Sequence, residues 1–219
     1  MTAIESQRGR LSRQSIAQSA ADIIGSDGLG AFSLRSLAKS LGVDPAAIYR
    51  HYENLDDLLR DVADLALAPV TQKLVTSDDP MDDVRRLLLR LRHVLLTSGV
   101  ARLNIAGPSR HANELRITEV MLESFAKLGL STKDAVMAYH VLIEFTVGSA
   151  SLDAPLASSP ADRLDTYKRW RTDYKTVDAD TYPAIAAHAS RLYPSSERVF
   201  ATGLDALLTQ LLTRSELDD

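Results

Sequence analysis

Residues 33–52 combine hydrogen-bond donors with small side chains in a pattern suited to binding nucleic acid. The run 49–52 supplies tyrosine, arginine and histidine donors that suit phosphate oxygens or base edges. Ala46 and Ala47, just before this run, are small enough for a backbone to approach base edges, and their methyl groups can contact a thymine methyl. The alternative is an ordinary corner between two helices, in which the same polar side chains are only solvated. Whether these residues lie on a known DNA-binding arrangement of helices decides between the two interpretations.

Helix signals place these side chains on a helix-turn-helix. Apolar residues at helical spacing predict a first helix over 33–41: Leu34, Leu37, Ala38 and Leu41. Ser33 is its expected N-cap, and Gly42 can adopt the left-handed conformation that ends a helix. Asp44 is the expected cap of a second helix over 45–52, with Pro45 at its first position, where a missing N–H costs nothing. In a helix-turn-helix the second helix enters the DNA major groove.

The run LAKSLGVDPAAIYRHYENLDDLL resembles the DNA-binding domain of the TetR family of transcriptional repressors, and the resemblance covers about residues 16–65. It implies base-reading and phosphate-side residues at matching positions. The base-reading candidates are Arg35, Pro45, Ala46 and Ala47. The candidates on the phosphate side are Ser33, Lys39, Tyr49, His51 and Tyr52. Arg50 is a further DNA-binding candidate, with a donor suited to phosphates or bases. The family usually has lysine where this chain has Leu55, and we expect Leu55 to pack under its helix instead.

Composition predicts an all-α fold, with an N-terminal three-helix DNA-binding domain and a larger C-terminal helical domain for ligand binding and dimerisation. Leucine and alanine dominate, and β-branched runs are few. Residues 1–52 hold six basic and four acidic residues, a net charge of +2, whereas the whole chain carries −4. The mildly basic head is therefore expected to face the phosphates. There is no cysteine and the N-terminus has no apolar stretch, so we expect a cytoplasmic protein without a membrane segment.

The chain is expected to divide into three parts. Residues 1–53 form the DNA-binding domain with an N-terminal arm, residues 54–78 a connecting helix and linker, and residues 79–219 the ligand-binding and dimerisation domain. The arm carries Arg8, Arg10 and Arg13, and either frays in solvent or lies along the DNA. The helix that follows Asn54 touches both domains, so it is the expected lever between them.

The C-terminal domain is expected to bind a small, largely apolar effector between helices near 81–97, 100–106, 110–128 and 132–150. The predicted lining combines apolar side chains with a few polar groups. It comprises Leu91, Leu95, Leu103, Asn104, Met121, Phe125, His140 and Glu144. His140 and Glu144 also have a spacing that metal ligands use, although polar groups of the pocket or a hydrogen-bonded pair at the dimer interface are the preferred interpretations.

Two helices carry more apolar residues than one core requires, which predicts that each is buried on two sides. They are the helix at 132–150 and the last helix at 196–213, and the family resemblance implies that they form a four-helix bundle in a homodimer. The candidate interface residues are Val136, Val147, Leu204, Leu207, Leu208 and Leu211.

No catalytic motif is recognised in the sequence: there is no phosphate-binding glycine loop, no GxSxG and no HExxH. We therefore expect no enzyme activity, no cofactor and no bound metal. The predicted function is a repressor that leaves a palindromic operator when its effector binds. Two alternatives stay open: an activator or architectural DNA-binding protein on the same scaffold, and a helical carrier or enzyme that has no role on DNA.

Overall fold

The computed structural model describes residues 11–74, 76–98, 110–154 and 160–215. These residues form ten α-helices and no strand, which confirms the predicted all-α fold. The helices are α1 Arg13–Asp27, α2 Leu34–Leu41, α3 Pro45–Ile48, α4 Leu55–Thr71, α5 Pro80–Thr97, α6 Ala112–Lys127, α7 Thr132–Asp153, α8 Pro160–Tyr174, α9 Pro183–His188 and α10 Ser196–Ser215. The helix predicted over 100–106, and with it Leu103 and Asn104, lies outside the described residues.

Two apolar cores organise the helices. The first joins α1 to α4 in the head, and its largest buried residues are Ile16, Leu37, Ile48, Tyr52, Leu58 and Val62. The second joins α4 to α7 and α10 in the body, around Leu88, Met121 and Leu142. Helix α4 contributes Leu58 and Val62 to the head and Val70 to the body. It therefore connects the two cores as one continuous helix, in which Pro69 causes no break.

Helix α7 packs against α5, α6 and α10 on one side and is exposed on the other. By length and composition alone it is the one described helix apolar enough to cross a membrane, and core helices of soluble proteins pass the same test. Its exposed apolar residues are Val136, Met137, Val147 and Leu152.

Four residues predicted for the effector pocket pack in the body core. Leu91, Leu95, Met121 and Phe125 are at least 93% buried and pack together in the body core. The apolar pattern identified them as inward-facing, but it could not separate a filled core from a cavity wall. His140 and Glu144 lie on the exposed face of α7.

Two of the predicted interface residues belong to the same core. Leu204 is fully buried and Leu208 is 5% exposed, so both face inward within their own subunit. Leu207 and Leu211 are half-buried, and Val136 and Val147 are exposed. The part of the predicted interface that remains available is thus the outer face of α7 with the adjoining edge of α10.

Candidate DNA-binding face and its connection to the body

The start and end of α2 are set by local hydrogen bonds. The Ser33 hydroxyl accepts a hydrogen bond from the Ser36 N–H at 3.0 Å, and the Ser33 N–H donates to the Ser36 hydroxyl at 2.9 Å. This reciprocal arrangement satisfies two backbone donors that the first turn leaves free. Gly42 ends the helix with φ 65°, in the left-handed region that glycine adopts without strain. The predicted cap and turn of the first helix are confirmed.

Helix α3 begins as predicted but is shorter. The Asp44 carboxylate accepts a hydrogen bond from the Ala46 N–H at 2.8 Å, and Pro45 occupies the first turn. The helix ends at Ile48, and residues 49–51 continue as a turn in which the His51 N–H donates to the Ile48 carbonyl at 2.9 Å. The expectation of a helix through residue 52 was therefore wrong in its second half.

Most of the predicted DNA-contacting side chains are exposed, and we call this set of residues the reading face. Its exposed members are Ser33, Arg35, Lys39, Pro45, Ala46, Tyr49 and Arg50. Ala47 and His51 are half-buried at its inner edge. Tyr49 is 55% exposed although it follows the buried Ile48. The short α3 and its turn thus present these donors outward.

Tyr52 does not belong to the reading face. It is 2% exposed, and its single hydroxyl proton is shared between two acceptors, the Arg13 carbonyl at 2.8 Å and the Asp61 carboxylate at 2.7 Å. Burial, together with the hydrogen bond to Asp61, raises the pKa of Tyr52, so the hydroxyl stays protonated as a donor. The assignment of Tyr52 to the phosphate side is corrected: it holds the head to α4.

Arg13 is likewise engaged within the protein. Its guanidinium pairs with Asp57 at 3.0 Å and Asp61 at 3.1 Å, donates to the His51 carbonyl at 2.9 Å, and lies 4.2 Å above the centre of the Tyr52 ring. The hydrogen bond from Arg13 holds the pKa of Asp57 below its usual range. Arg13 therefore ties α1 to α4, and the predicted arm, residues 1–10, lies outside the described residues.

Leu55, which replaces the family's lysine, is 41% exposed at the first position of α4. The expectation that it packs beneath the helix was wrong. Asn54 caps this helix by accepting from the Asp57 N–H at 2.9 Å, as the sequence predicted.

A carboxylate of α4 caps α6 in the body. Asp64, 7% exposed, accepts hydrogen bonds from the Asn113 N–H at 3.1 Å, the Asn113 side-chain amide at 3.0 Å and the Glu114 N–H at 2.9 Å. His111, the N-cap residue of α6, makes no capping bond of its own through its side chain. Asp64 therefore supplies from another helix the acceptor that the first turn of α6 requires.

One turn earlier on α4, Asp61 contacts three segments. It accepts from Tyr52 and Arg13 in the head, and His111 Nδ1 lies 3.1 Å from its carboxylate. We call Asp61, Asp64 and their partners the α4–α6 joint. This joint was not predicted from the sequence, because Asp61 and Asp64 resemble ordinary charges on an amphipathic helix and their partners on α6 lie about 50 residues away.

Comparison with known proteins gives matches over both parts of the chain. A family model described as bacterial regulatory proteins, tetR family, matches residues 16–62, and a model described as tetracyclin repressor-like, C-terminal domain, matches residues 76–214. The class C tetracycline repressor protein of Escherichia coli is 27% identical over 201 residues, covering 90% of this chain and 85% of the relative. An HTH-type transcriptional regulator of Saccharopolyspora erythraea is 25% identical over 179 residues, covering 81% of this chain and 75% of the relative.

Solved structures show the same fold. Apo ActR from Streptomyces coelicolor has a TM-score of 0.82 at 24% identity, covering 95% of this chain and 98% of that chain. ActR in complex with actinorhodin also has a TM-score of 0.82 at 24% identity, covering 94% and 99%. The relatives are transcriptional regulators and not enzymes, which sets aside the alternative of an enzyme. The chain belongs to the TetR family of transcriptional regulators.

Proposed function

We propose that this regulator is a homodimeric repressor that leaves a palindromic operator when a small molecule binds its body. The observation that carries the proposal is the α4–α6 joint, which connects the head to the body through partly buried hydrogen bonds. The structure of ActR with actinorhodin bound supports a small-molecule effector for this architecture. The nature of that effector here is a separate question.

Contact with DNA is assigned to the exposed members of the reading face. Arg35, Pro45, Ala46 and Ala47 are the proposed base readers, and Ser33, Lys39, Tyr49, Arg50 and His51 contact the phosphates. Arginine can donate two hydrogen bonds to a guanine, and small residues allow close approach to thymine methyls. Because the head is mildly basic and the body is acidic, the phosphates attract the head and repel the body.

Helix α4 is the proposed lever between effector and DNA. Because Asp64 holds the first turn of α6, a shift of α6 relative to the body core carries α4 with it. Because Asp61 also holds Tyr52 and Arg13, the same shift turns the head. An effector that binds one position of α6 better than the other then changes the spacing of the two reading faces, and this difference in affinity is sufficient for regulation.

The outer face of α7 and the adjoining edge of α10 are the proposed dimer interface. Met137 is 58% exposed, Val136 45%, Val147 40% and Val199 of α10 53%, an unusual density of apolar side chains on one surface. A second copy of the chain would bury them in a four-helix bundle. Two heads related by a twofold axis then read half-sites about one DNA turn apart, roughly 34–36 Å, or modestly more.

Val147→Glu is expected to shift the chain from dimer to monomer. Twofold symmetry brings the two introduced carboxylates into one interface, where like charges cost several kcal/mol, so the dimer dissociation constant should rise by about 100-fold or more. Sedimentation velocity over a concentration series measures this. Leu115→Glu is the matched control, since Leu115 is 54% exposed on α6, away from the proposed interface. A Val147→Glu protein that stayed dimeric would contradict the assignment.

Tyr49→Ala is expected to weaken operator binding by about tenfold, because each subunit of the dimer loses one phosphate contact of about 1 kcal/mol or less. A gel-shift titration with the DNA upstream of the protein's own gene, at constant salt, measures the change. Tyr182→Ala is the control, since Tyr182 is 54% exposed and lies in the body, so the same aromatic group is removed far from the reading face.

Unchanged affinity for the Tyr49→Ala protein would remove Tyr49 from the proposed contacts, and the absence of any gel shift for the wild type would contradict DNA binding at that site.

Whether the protein represses or activates transcription is tested separately. In a strain that lacks this gene, a reporter under the same upstream DNA should increase its expression if the protein is a repressor and decrease it if the protein is an activator.

A further inference from the structure

A cleft of about 480 Å³ opens between α4 and α5. This volume lies in the range of small-molecule sites. Its walls come from the second half of α4 with the turn that follows it, and from the second half of α5. These segments belong neither to the reading face nor to the proposed dimer interface on α7 and α10, so a dimer of that kind leaves the cleft accessible. We call it the α4–α5 cleft.

The middle of the cleft is apolar. Leu65, Ala66 and Pro69 line it from α4, and Val94, 7% exposed, lines it from α5. Leu65 and Pro69 are four residues apart and therefore lie on the same side of α4. Apolar walls of this kind suit the hydrophobic body of a small molecule.

The charged groups among the described lining residues are all basic. Lys73 and Arg90 lie at one end of the cleft, where the Arg90 guanidinium donates to the Lys73 carbonyl at 2.7 Å. His93, one turn further along α5, adds an imidazole N–H. Within the described residues, neither Lys73 nor Arg90 forms an ion pair, in contrast to Arg85 and Arg92 of the same helix. The whole chain carries a net charge of −4, so basic groups without countercharge in one cleft indicate an anionic ligand.

The other end of the cleft offers hydrogen-bond acceptors. Pro69 has no N–H, so the Leu65 carbonyl lacks the donor that the fourth residue ahead supplies elsewhere in an α-helix. The Thr97 hydroxyl donates to the His93 carbonyl at 2.9 Å, which leaves its oxygen able to accept. Thr97 lies two helical turns beyond Arg90, about 10 Å along α5. A ligand that spans the cleft can therefore carry an acid at one end and a donor at the other.

We propose that the α4–α5 cleft binds an elongated organic acid, with its carboxylate at Arg90 and Lys73, its apolar body against Leu65 and Val94, and a hydrogen-bond donor near Thr97. A guanidinium can hold a carboxylate through two parallel hydrogen bonds, and the bond to the Lys73 carbonyl already positions the guanidinium of Arg90. The inference deepens the proposed function, because it gives the effector a site and a chemical class, and as an effector site it rests on that function.

The cleft lies on the helix proposed as the lever. Leu65 and Ala66 directly follow Asp64 of the α4–α6 joint, so a ligand between α4 and α5 contacts the lever itself. Because the joint ties α6 to α4, a ligand that favours one position of α4 also favours the matching position of α6. The head moves with α4 through the contacts of Asp61.

Binding is tested with the full-length protein in the absence of DNA, by isothermal titration calorimetry. The probes are 2-naphthoate, an anion at neutral pH, and 2-naphthalenemethanol, its uncharged analogue. We expect 2-naphthoate to bind at least about tenfold more tightly, since only its carboxylate pairs with Arg90 and Lys73. With a hydroxyl at the far end of the rings, 6-hydroxy-2-naphthoate should bind about threefold more tightly again, as for one added hydrogen bond.

Two variants locate the site. Arg90→Gln should weaken 2-naphthoate binding by about fivefold and leave 2-naphthalenemethanol binding unchanged, as for loss of a partly exposed ion pair. Its control is Arg116→Gln, which removes the same charge from an exposed position on α6. Ala66→Leu should abolish most binding of both probes, because the larger side chain occupies the cleft. Ala68→Leu is its control, since Ala68 is also half-buried on α4 but lies outside the cleft lining.

The site is supported by tighter binding of the anion than of the alcohol, a loss confined to the anion in Arg90→Gln, and weak binding of both probes by Ala66→Leu with an unchanged unfolding midpoint. Equal binding of anion and alcohol, no binding of 2-naphthoate at millimolar concentration, or its full binding by either variant overturns the site. If the Ala66→Leu protein is unstable, Arg90→Gln decides alone, because it compares two probes on one protein. Because DNA is absent, these results stand whether or not the protein represses transcription.

The effector role is tested next by gel shift on the DNA upstream of the protein's own gene. Release of the wild type at 2-naphthoate concentrations that leave the Arg90→Gln and Ala66→Leu proteins bound supports the cleft as the effector site. Equal release of all three proteins, or no release at concentrations that saturate the wild type, overturns that role. An absent gel shift without the probe counts against the proposed function instead.

Discussion

Arg92→Ala is expected to lower the free energy of unfolding by about 3–5 kcal/mol, the cost of breaking a buried ion pair by removing one partner. Arg92 is 4% exposed and Asp153 6%, and the two form an ion pair between α5 and α7. The guanidinium also donates to the Ser149 hydroxyl at 3.0 Å and lies 5.0 Å from the centre of the Phe200 ring. After truncation, Asp153 keeps the hydrogen bond from Tyr167 and loses its countercharge.

Urea denaturation monitored by circular dichroism measures this loss. Arg85→Ala is the matched control, because Arg85 pairs with Asp205 at 2.6 Å with exposed fractions of 37% and 51%. Removal of that surface pair should cost about 1 kcal/mol or less. Similar losses for the two variants would contradict the assigned burial. A double variant, Arg92→Met with Asp153→Leu, should recover much of the stability because no unpaired charge remains.

Asp64→Ala is expected to lower the free energy of unfolding by about 2–3 kcal/mol and to weaken the communication between body and head. The variant leaves the Asn113 and Glu114 N–H groups of α6 without their acceptor, in a position where Asp64 itself is 7% exposed. Unpaired donors at a partly buried helix start are costly, since water replaces the lost acceptor only in part.

Thermal and urea unfolding measure the stability, and Asp180→Ala is the control because Asp180 is exposed in the loop before α9. The regulatory effect has its own readout. If α4 is the lever, the Asp64→Ala protein should still bind the operator. An effector that releases the wild-type protein from the operator should release the Asp64→Ala protein less well. An Asp64→Ala protein of wild-type stability would show that the cap contributes little.

The sequence predicted those parts of the molecule that depend on neighbours along the chain. Ser33, Gly42, Asp44 and Asn54 act within one helical turn of the groups that they satisfy, so their types and spacing suffice. The exposed reading face followed from the same local signals. For this reason the helix-turn-helix was recognisable without a structure, apart from the early end of α3.

The errors concern residues whose partners are distant in the chain. Tyr52 has the donor of a phosphate contact, but its hydroxyl is used by Arg13 and Asp61. Leu204 and Val136 both lie on strongly apolar helices, yet one is fully buried and the other 45% exposed. Periodicity identifies an apolar face and does not state which neighbour covers it.

The single carboxylate of Asp61 contacts Arg13 of α1, Tyr52 after α3 and His111 at the N-cap of α6, which has a consequence for protein engineering. A chimaera that grafts this head onto the body of another regulator must bring Asp61 and Asp64 with α4 and needs matching donors on the acquired body. Grafts that lack those donors should recognise their operator but respond poorly to the body's inducer. The segment to transfer between regulators is therefore the head together with the α6 residues that it contacts.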